Sequence, residues 1–165
     1  MIDPRGEPWG IAHVLIAVKD GESDVDALKL SFGVARKCRG RATVLYVIEV
    51  PQALALDAEM PDAVAKGELA LQFAEQLAVD YDLEIDAEII QARQIGPAIV
   101  DEVAVRHADL VVMTAHLHRR PGEFDMGKTV PYVLINAPCR VWVCRAPISA
   151  EQRNPYHSSA MTTVK

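Results

Sequence analysis

The sequence predicts an α/β domain with a five-stranded parallel sheet and helices on both of its faces. Short apolar runs alternate along the chain with longer segments in which apolar residues recur every three or four positions. An alternation of strands and helices is typical of parallel sheets joined by right-handed crossovers. The length of 165 residues suits one hydrophobic core. We therefore expect one domain rather than two.

The strands are predicted from short runs rich in apolar and β-branched residues. They cover residues 13–18, 43–50, 83–89, 110–113 and 139–144. The third run alternates apolar with acidic residues, which is the pattern of a strand at a sheet edge. In the fifth run, Arg140 and Trp142 alternate with valines, so the two sets should lie on opposite faces. Cys139 and Cys144 should also point to opposite faces, as packing residues.

Helices are predicted between successive strands. The first begins near Asp24, the second follows Pro61, the third runs from Gly96 to about His107, and the fourth covers residues 130–135. In the second helix, Leu69, Phe73 and Leu77 recur every four residues, which predicts that they form its buried face.

Composition and charge limit the classes of function that the chain can serve. The formal net charge of −6 argues against a nucleic-acid partner, since binding to phosphates needs a broad positive surface. No apolar stretch reaches the roughly 18 to 20 residues of a membrane-spanning helix, so direct membrane insertion is not expected. The start of the chain lacks the pattern of a signal peptide, and its cysteines form no Cys-x-x-Cys pair. We expect a cytoplasmic protein with reduced thiols.

The loop between the fourth strand and the fourth helix, residues 114–129, carries the candidate ligand site. Parallel sheets bind ligands beyond the carboxyl ends of their strands, where this loop begins. Residues 122–129 (GEFDMGKT) fit the spacing GxxxxGK[ST] of a P-loop, but a true P-loop follows its strand directly and residues 116–121 intervene here. A looser interpretation makes Gly127, Lys128 and Thr129 an anion site at the N-terminus of the fourth helix. A solvated polar loop is the alternative.

Metal and catalytic chemistry have less support in the sequence. His116 and His118 would point to one side of an extended chain, but no third metal ligand accompanies them. Together with Arg119 and Arg120 they add positive potential to the loop, which Glu123 and Asp125 partly offset. No Ser/His/Asp or Cys/His arrangement has a recognisable context. Slow ATP hydrolysis or phosphotransfer would need a metal-binding acid and a positioned nucleophile, and the sequence allows neither to be assigned.

Three segments of the chain resemble the universal stress protein family. They are residues 108–113 (ADLVVM), 127–130 (GKTV) and 137–141 (APCRV). The resemblance covers residues 12–146 and leaves residues 1–11 as an N-terminal extension and residues 147–165 as a polar C-terminal tail. It implies a Rossmann-like sheet of the adenine-nucleotide alpha-hydrolase type, with strand order 3-2-1-4-5.

Nucleotide-binding members of the family carry glycines at set positions after the fourth strand. Their pattern is glycine, two residues, glycine, nine residues, then glycine and serine or threonine. Those positions hold Thr114, Leu117, Gly127 and Lys128 here, and Thr129 supplies a hydroxyl one residue late. Only Gly127 matches, and glycines at the first two positions would have let the backbone approach a phosphate closely. Two alternatives follow: a nucleotide-binding regulatory module, or a ligand-free dimeric interaction protein with a degenerate site.

The resemblance also implies which residues hold the ligand. A base or ribose would lie beside the end of the first strand and Val47, with Lys19 where nucleotide-binding members usually carry aspartate. Asp20 could take that place only by a local shift. The candidate site residues are Ala17, Val18, Lys19, Val47, Thr114, His116, Leu117, Gly127, Lys128, Thr129 and Val130. The implied ligand is ATP, ADP, AMP or another adenine nucleotide, with Mg²⁺ accompanying ATP.

Two partners are implied by the resemblance as well. Family members pair through the last strand, which predicts a homodimer formed through Arg140 and Trp142 and the covering of an exposed sheet edge. The segments 127–132 (GKTVPY) and 137–139 (APC) look most like stress-protein domains associated with amino-acid permeases. A transporter or another signalling partner is therefore expected.

Overall fold

The computed structural model describes residues 10–21, 23–115, 118–120 and 123–145. His116, Leu117, Gly122 and the predicted C-terminal tail lie outside the described residues. The elements, in chain order, are β1 (His13–Val18), α1 (Val25–Lys37), β2 (Arg41–Glu49), α2 (Pro61–Val79), β3 (Ile85–Ala92), α3 (Ile95–Val105), β4 (Leu110–Thr114), β5 (His118–Arg120), β6 (Glu123–Asp125), α4 (Thr129–Asn136) and β7 (Arg140–Cys144).

The main sheet confirms the predicted fold class and strand order. Five parallel strands lie in the order β3-β2-β1-β4-β7, which is 3-2-1-4-5 once the small β5–β6 pair is set aside. The alternating run of the third strand indeed lies at a sheet edge. The antiparallel β5–β6 pair was not predicted, and it lies inside the loop between β4 and α4.

Two hydrophobic clusters pack on opposite faces of this sheet. On β1, Val14 and Ile16 pack with residues of α1 and α2, which we call the α1–α2 face. Leu15 packs instead with residues of α3 and α4, the α3–α4 face. This alternation follows from the two-residue period of a strand. Among the described residues, no helix combines the length and the hydropathy needed to cross a membrane.

The prediction for the buried face of α2 was wrong. Leu69 is 66% exposed, while Phe73 and Leu77 are only partly buried against the core. The buried positions are Gly67, Ala70, Leu71, Ala74 and Ala78. These side chains are mostly small, so α2 lies close to the sheet. A Cβ on Gly67 would come within 2.8 Å of the Tyr46 ring, which explains why glycine occupies this position.

The last strand has the predicted alternation. Val141 and Val143 pack on the α3–α4 face, whereas Trp142 packs on the α1–α2 face. Cys139 accompanies the valines and Cys144 accompanies Trp142, as predicted. Burial raises the pKa of both thiols, which favours their protonated form and agrees with a role in packing.

A buried histidine lies at the amino end of the sheet, away from the candidate site. His13 is 3% exposed; its Nδ1 lies 3.1 Å from the Arg106 carbonyl oxygen and its Nε2 lies 2.8 Å from Thr43 Oγ1. Since a carbonyl only accepts, Nδ1 carries the proton and Nε2 accepts from the Thr43 hydroxyl. Burial lowers the pKa of His13, Arg41 and Arg106 lower it further, and the Arg106 carbonyl and Asp109 oppose them.

The topology places a crevice between β1 and β4. The chain leaves β1 toward α1 on one face and leaves β4 toward α4 on the other. The two strands are direct neighbours, with Ala17 opposite Met113 near their carboxyl ends. Divergent connections from adjacent parallel strands open a crevice at this point, which is where sheets of this kind bind ligands.

Candidate functional site

A pocket of about 340 Å³ occupies this crevice. It lies beyond the carboxyl ends of β1, β2 and β4, and the start of α4 closes one side. Nine predicted site residues line it: Ala17, Val18, Lys19, Val47, Thr114, Gly127, Lys128, Thr129 and Val130. The other two predicted residues, His116 and Leu117, lie outside the described residues.

Much of the pocket wall is apolar and was not predicted. Its additional apolar residues are Leu45, Ile95, Ile99, Met113 and Met126. All five belong to or pack against the cluster on the α3–α4 face. Ile95 and Ile99 could have been found from the sequence, because α3 begins directly after β3 and therefore starts at the carboxyl edge of the sheet. One side of the pocket is therefore an apolar surface against which a flat ring can pack.

The loop after β1 is held by a carboxylate that sequence reasoning missed. Asp24 is 1% exposed, and its Oδ2 accepts hydrogen bonds from the N–H groups of Lys19 at 2.7 Å, Asp20 at 3.3 Å and Gly21 at 3.4 Å. This arrangement fixes the backbone that carries Lys19 into the pocket wall. It also means that these amides already have an anionic partner.

Asp20 does not take the place of the family's aspartate. Its Oδ1 accepts hydrogen bonds from the Ser23 N–H at 2.8 Å and from the Ser23 hydroxyl at 2.6 Å. The acidic residue that lines the pocket is Asp24 instead. Because the Asp24 carboxylate is committed to backbone amides, Lys19 is the side chain that gives this wall its exposed charge.

The opposite wall is the N-terminus of α4. Gly127 has φ +69°, a left-handed conformation that glycine adopts without strain, and it turns the chain into the helix. Lys128 is the N-cap residue and makes no side-chain cap hydrogen bond. Val130 and Val133 anchor the helix in the core. The N-terminus of α4, with the positive end of the helix dipole, therefore borders the pocket, and Thr129 and Val130 supply its first-turn amides because Pro131 has none.

The P-loop interpretation of residues 122–129 is wrong. Glu123–Asp125 is an extended strand that pairs antiparallel with His118–Arg120, with Arg119 opposite Phe124. A P-loop needs the same positions to curl so that successive amides surround a phosphate. Of the two phosphate-binding interpretations, the anion site at the start of α4 is the one that agrees with this backbone.

One polar atom of a pocket-lining residue has no hydrogen-bond partner among the described residues. The hydroxyl oxygen of Thr114 is buried and has no hydrogen-bond partner in the described part of the chain. Thr114 is the last residue of β4 and lines the pocket.

Metal binding has no structural support within the described ranges. No group of three or more His, Cys, Asp or Glu side chains there could hold a metal ion. His118 lies on β5, and His116 is outside the described residues.

Comparison with solved structures shows the same fold in proteins of known family. The universal stress protein from Archaeoglobus fulgidus in complex with dAMP has a TM-score of 0.65 at 14% identity, covering 79% of this chain and 94% of that chain. The UspA protein from Lactobacillus plantarum has a TM-score of 0.66 at 21% identity, covering 82% and 98%. A family protein from Arabidopsis thaliana with AMP bound has a TM-score of 0.60 at 16% identity, covering 90% and 96%.

Sequence comparison assigns the family. No curated protein matches the chain at a significant level. The model of the universal stress protein family, however, matches residues 10–145, which is most of the chain. The resemblance carried by residues 108–113, 127–130 and 137–141 therefore reflects common membership. The chain belongs to the universal stress protein family.

Proposed function

We propose that this chain is a regulatory module that binds an adenine nucleotide in the pocket between β1 and β4. The observation that carries the proposal is the pairing of an apolar wall with the N-terminus of α4 in one pocket of about 340 Å³. Pockets for small ligands typically measure about 300 to 1,000 Å³. A mononucleotide suits the lower end of that range.

The phosphate would lie at the start of α4. Amides in the first turn of a helix have no carbonyl partner within the helix, and the dipole adds partial positive charge. Lys128 adds a full positive charge, and Thr129 adds a hydroxyl that can donate to a phosphate oxygen. Gly127 presents no side chain here, and a Cβ on it would meet nothing within 4 Å. A phosphate can therefore approach the backbone at this point.

The adenine would lie against the apolar wall on the α3–α4 face. Ala17 has a small side chain that leaves space over β1, while Val47, Ile95 and Met113 border that space. Removing a ring from water against such residues stabilises the complex by about 25 cal/mol for each Å² of apolar surface buried. The base thus supplies affinity, and the phosphate end supplies orientation.

Related structures support the class of ligand. The Archaeoglobus fulgidus relative holds dAMP and the Arabidopsis thaliana relative holds AMP. Both share the fold of this chain, so a mononucleotide is the first ligand to test. ADP and ATP with Mg²⁺ follow as longer ligands that would extend from the same phosphate position.

Isothermal titration calorimetry on the purified chain tests the proposal. We expect AMP to bind with a dissociation constant below about 1 mM, equivalent to about −4 kcal/mol. Lys128→Ala should weaken binding about five- to tenfold, the value of one charge-assisted hydrogen bond at a partly exposed site. Lys29→Ala is the matched control, since Lys29 is an exposed residue of α1 outside the pocket lining. Absence of heat with every nucleotide at millimolar concentration would favour the ligand-free interaction protein.

We also propose that the module acts in the cytoplasm as a homodimer formed through β7. This strand lies at a sheet edge with exposed Arg140, and an edge strand readily pairs with a second copy. Trp142 packs on the α1–α2 face, so its role would be to fix β7 rather than to cross the interface.

Sedimentation analysis tests the dimer and should give twice the chain mass of 18.1 kDa. A monomer at high micromolar concentration would contradict the dimer. Reporting to a transporter or another signalling protein is the expected use of such a dimer.

A further inference from the structure

The hydroxyl of Thr114 makes no hydrogen bond within the part of the fold that the structure describes. Side chains alternate along β4, with Val112 on the α1–α2 face and Met113 on the α3–α4 face. Thr114 therefore points to the α1–α2 face, beside its register partner Cys144. Its Oγ1 is buried there without a hydrogen-bond partner among the described residues. A buried polar group in this condition loses its hydration and gains no bond, which destabilises the protein.

The same residue has access to the ligand space. Thr114 is only partly buried as a residue and lines the pocket, although Oγ1 itself is covered. Threonine carries a hydroxyl and a methyl of similar size on Cβ, and its staggered rotamers are related by rotations of about 120° around χ1. One such rotation changes the direction of the hydroxyl without displacing the backbone. Rotamer changes of this kind are rapid wherever packing allows them.

The surroundings of Thr114 indicate which part of a ligand it would meet. The apolar wall that suits a base lies on the α3–α4 face. Thr114 faces away from that wall, and the same pocket lining includes the polar residues Lys19, Lys128 and Thr129. A sugar or phosphate oxygen is therefore the ligand group that the Thr114 hydroxyl would meet, rather than the ring.

We propose that Thr114 is a specificity-determining residue whose hydroxyl turns into the pocket and hydrogen-bonds an oxygen of the sugar–phosphate part of the ligand. This inference rests on the proposed function, because it assigns a role within the same site. The missing bond of Oγ1 is made only in the complex, so the residue favours the bound state. A ligand without an oxygen at that place gains nothing from it.

The test compares Thr114→Val with Thr114→Ser by calorimetry with AMP and by thermal unfolding without ligand. Valine keeps the branched shape and removes the hydroxyl, so the free protein should unfold at a higher temperature while AMP binds about fivefold more weakly. Serine keeps the hydroxyl, so AMP affinity should stay within about twofold of the original value. A merely structural role would not raise stability and lower affinity together.

Thr43→Val is the matched control. Thr43 is also a buried threonine on a central strand, but its hydroxyl bonds His13 Nε2 at 2.8 Å. Its loss should lower the unfolding temperature and leave AMP affinity unchanged.

Titration with adenosine tells which ligand oxygen Thr114 contacts. If Thr114→Val also binds adenosine about fivefold more weakly, the oxygen belongs to the ribose. If the loss is confined to AMP, the oxygen belongs to the phosphate.

The outcomes separate this inference from the proposed function. If the original chain does not bind AMP, the proposed function fails and this inference falls with it. If AMP binds the original chain and Thr114→Val equally well, the role of Thr114 is overturned while nucleotide binding stands. A Thr114→Val protein that is less stable than the original would also overturn the inference, because the hydroxyl would then serve the fold.

Discussion

Replacing Asp24 by alanine should loosen the loop after β1 and lower the stability of the whole domain. The Asp24 carboxylate is 1% exposed and accepts hydrogen bonds from three backbone amides. Hydrogen bonds to charged groups contribute about 1.5 to 3 kcal/mol each. Only the bond from Lys19, at 2.7 Å, is short, and those from Asp20 and Gly21 are 3.3 and 3.4 Å.

Water can offset part of this loss. Lys19 and Asp20 are exposed, so their amides can bond to solvent once the carboxylate is gone, whereas Gly21 is buried. We therefore expect Asp24→Ala to lower the free energy of unfolding by about 2 to 4 kcal/mol. With a urea m-value of about 2 kcal/mol per molar, the unfolding midpoint should fall by about 1 to 2 M.

Urea denaturation followed by circular dichroism measures this shift, and Asp26→Ala is its control. Asp26 lies in the first turn of α1 but is exposed, so its loss removes only a helix-dipole interaction of about 0.3 to 1 kcal/mol. Equal shifts in the two variants would refute the structural role assigned to Asp24. Since the loop carries Lys19, Asp24→Ala should also weaken AMP binding.

Two further predictions concern packing and pH. Gly67→Ala should destabilise the domain by about 1 to 3 kcal/mol, because its Cβ would lie 2.8 Å from the Tyr46 ring, which lines the ligand pocket. Gly33→Ala, also in a helix, has no neighbour closer than 4.0 Å and should instead stabilise by up to about 1 kcal/mol in the same urea assay. The unfolding midpoint should fall as the pH drops below about 6.5, because unfolded His13 then takes up a proton that folded His13, with its lowered pKa, resists. His13→Gln should remove this contribution, and an unchanged pH dependence in that variant would exclude His13 as its source.

The order of elements could be predicted because strands and helices impose different periods on apolar residues. The runs at 13–18 and 110–113 fit buried strands and match β1 and β4 closely. The face of α2 could not be predicted in the same way. Small residues such as Ala70 and Ala74 carry a weak hydropathy signal, yet they form the contact because the helix lies so close to the sheet.

Most of the candidate site could be located because the carboxyl ends of parallel strands meet at one edge. That rule brought Lys19, Val47 and Thr114 together with the start of α4. Asp24 was missed because its role depends on a reversal of the loop that brings its carboxylate back to earlier amides. The sequence does place Asp24 directly before α1, but an aspartate at that position usually caps its own helix, and Asp24 makes no such cap hydrogen bond. The β5–β6 pair was missed because strands of three residues carry no usable period.

The central claim is that AMP binds between the apolar wall and the start of α4, and nuclear magnetic resonance tests it most directly. In a titration of ¹⁵N-labelled protein with AMP, the backbone amides of Gly127, Lys128 and Thr129 should shift most, together with that of Lys19. Amides at the amino end of the sheet, such as that of His13, should not move. Saturating shifts confined to any other surface, or none at millimolar AMP, would contradict the account.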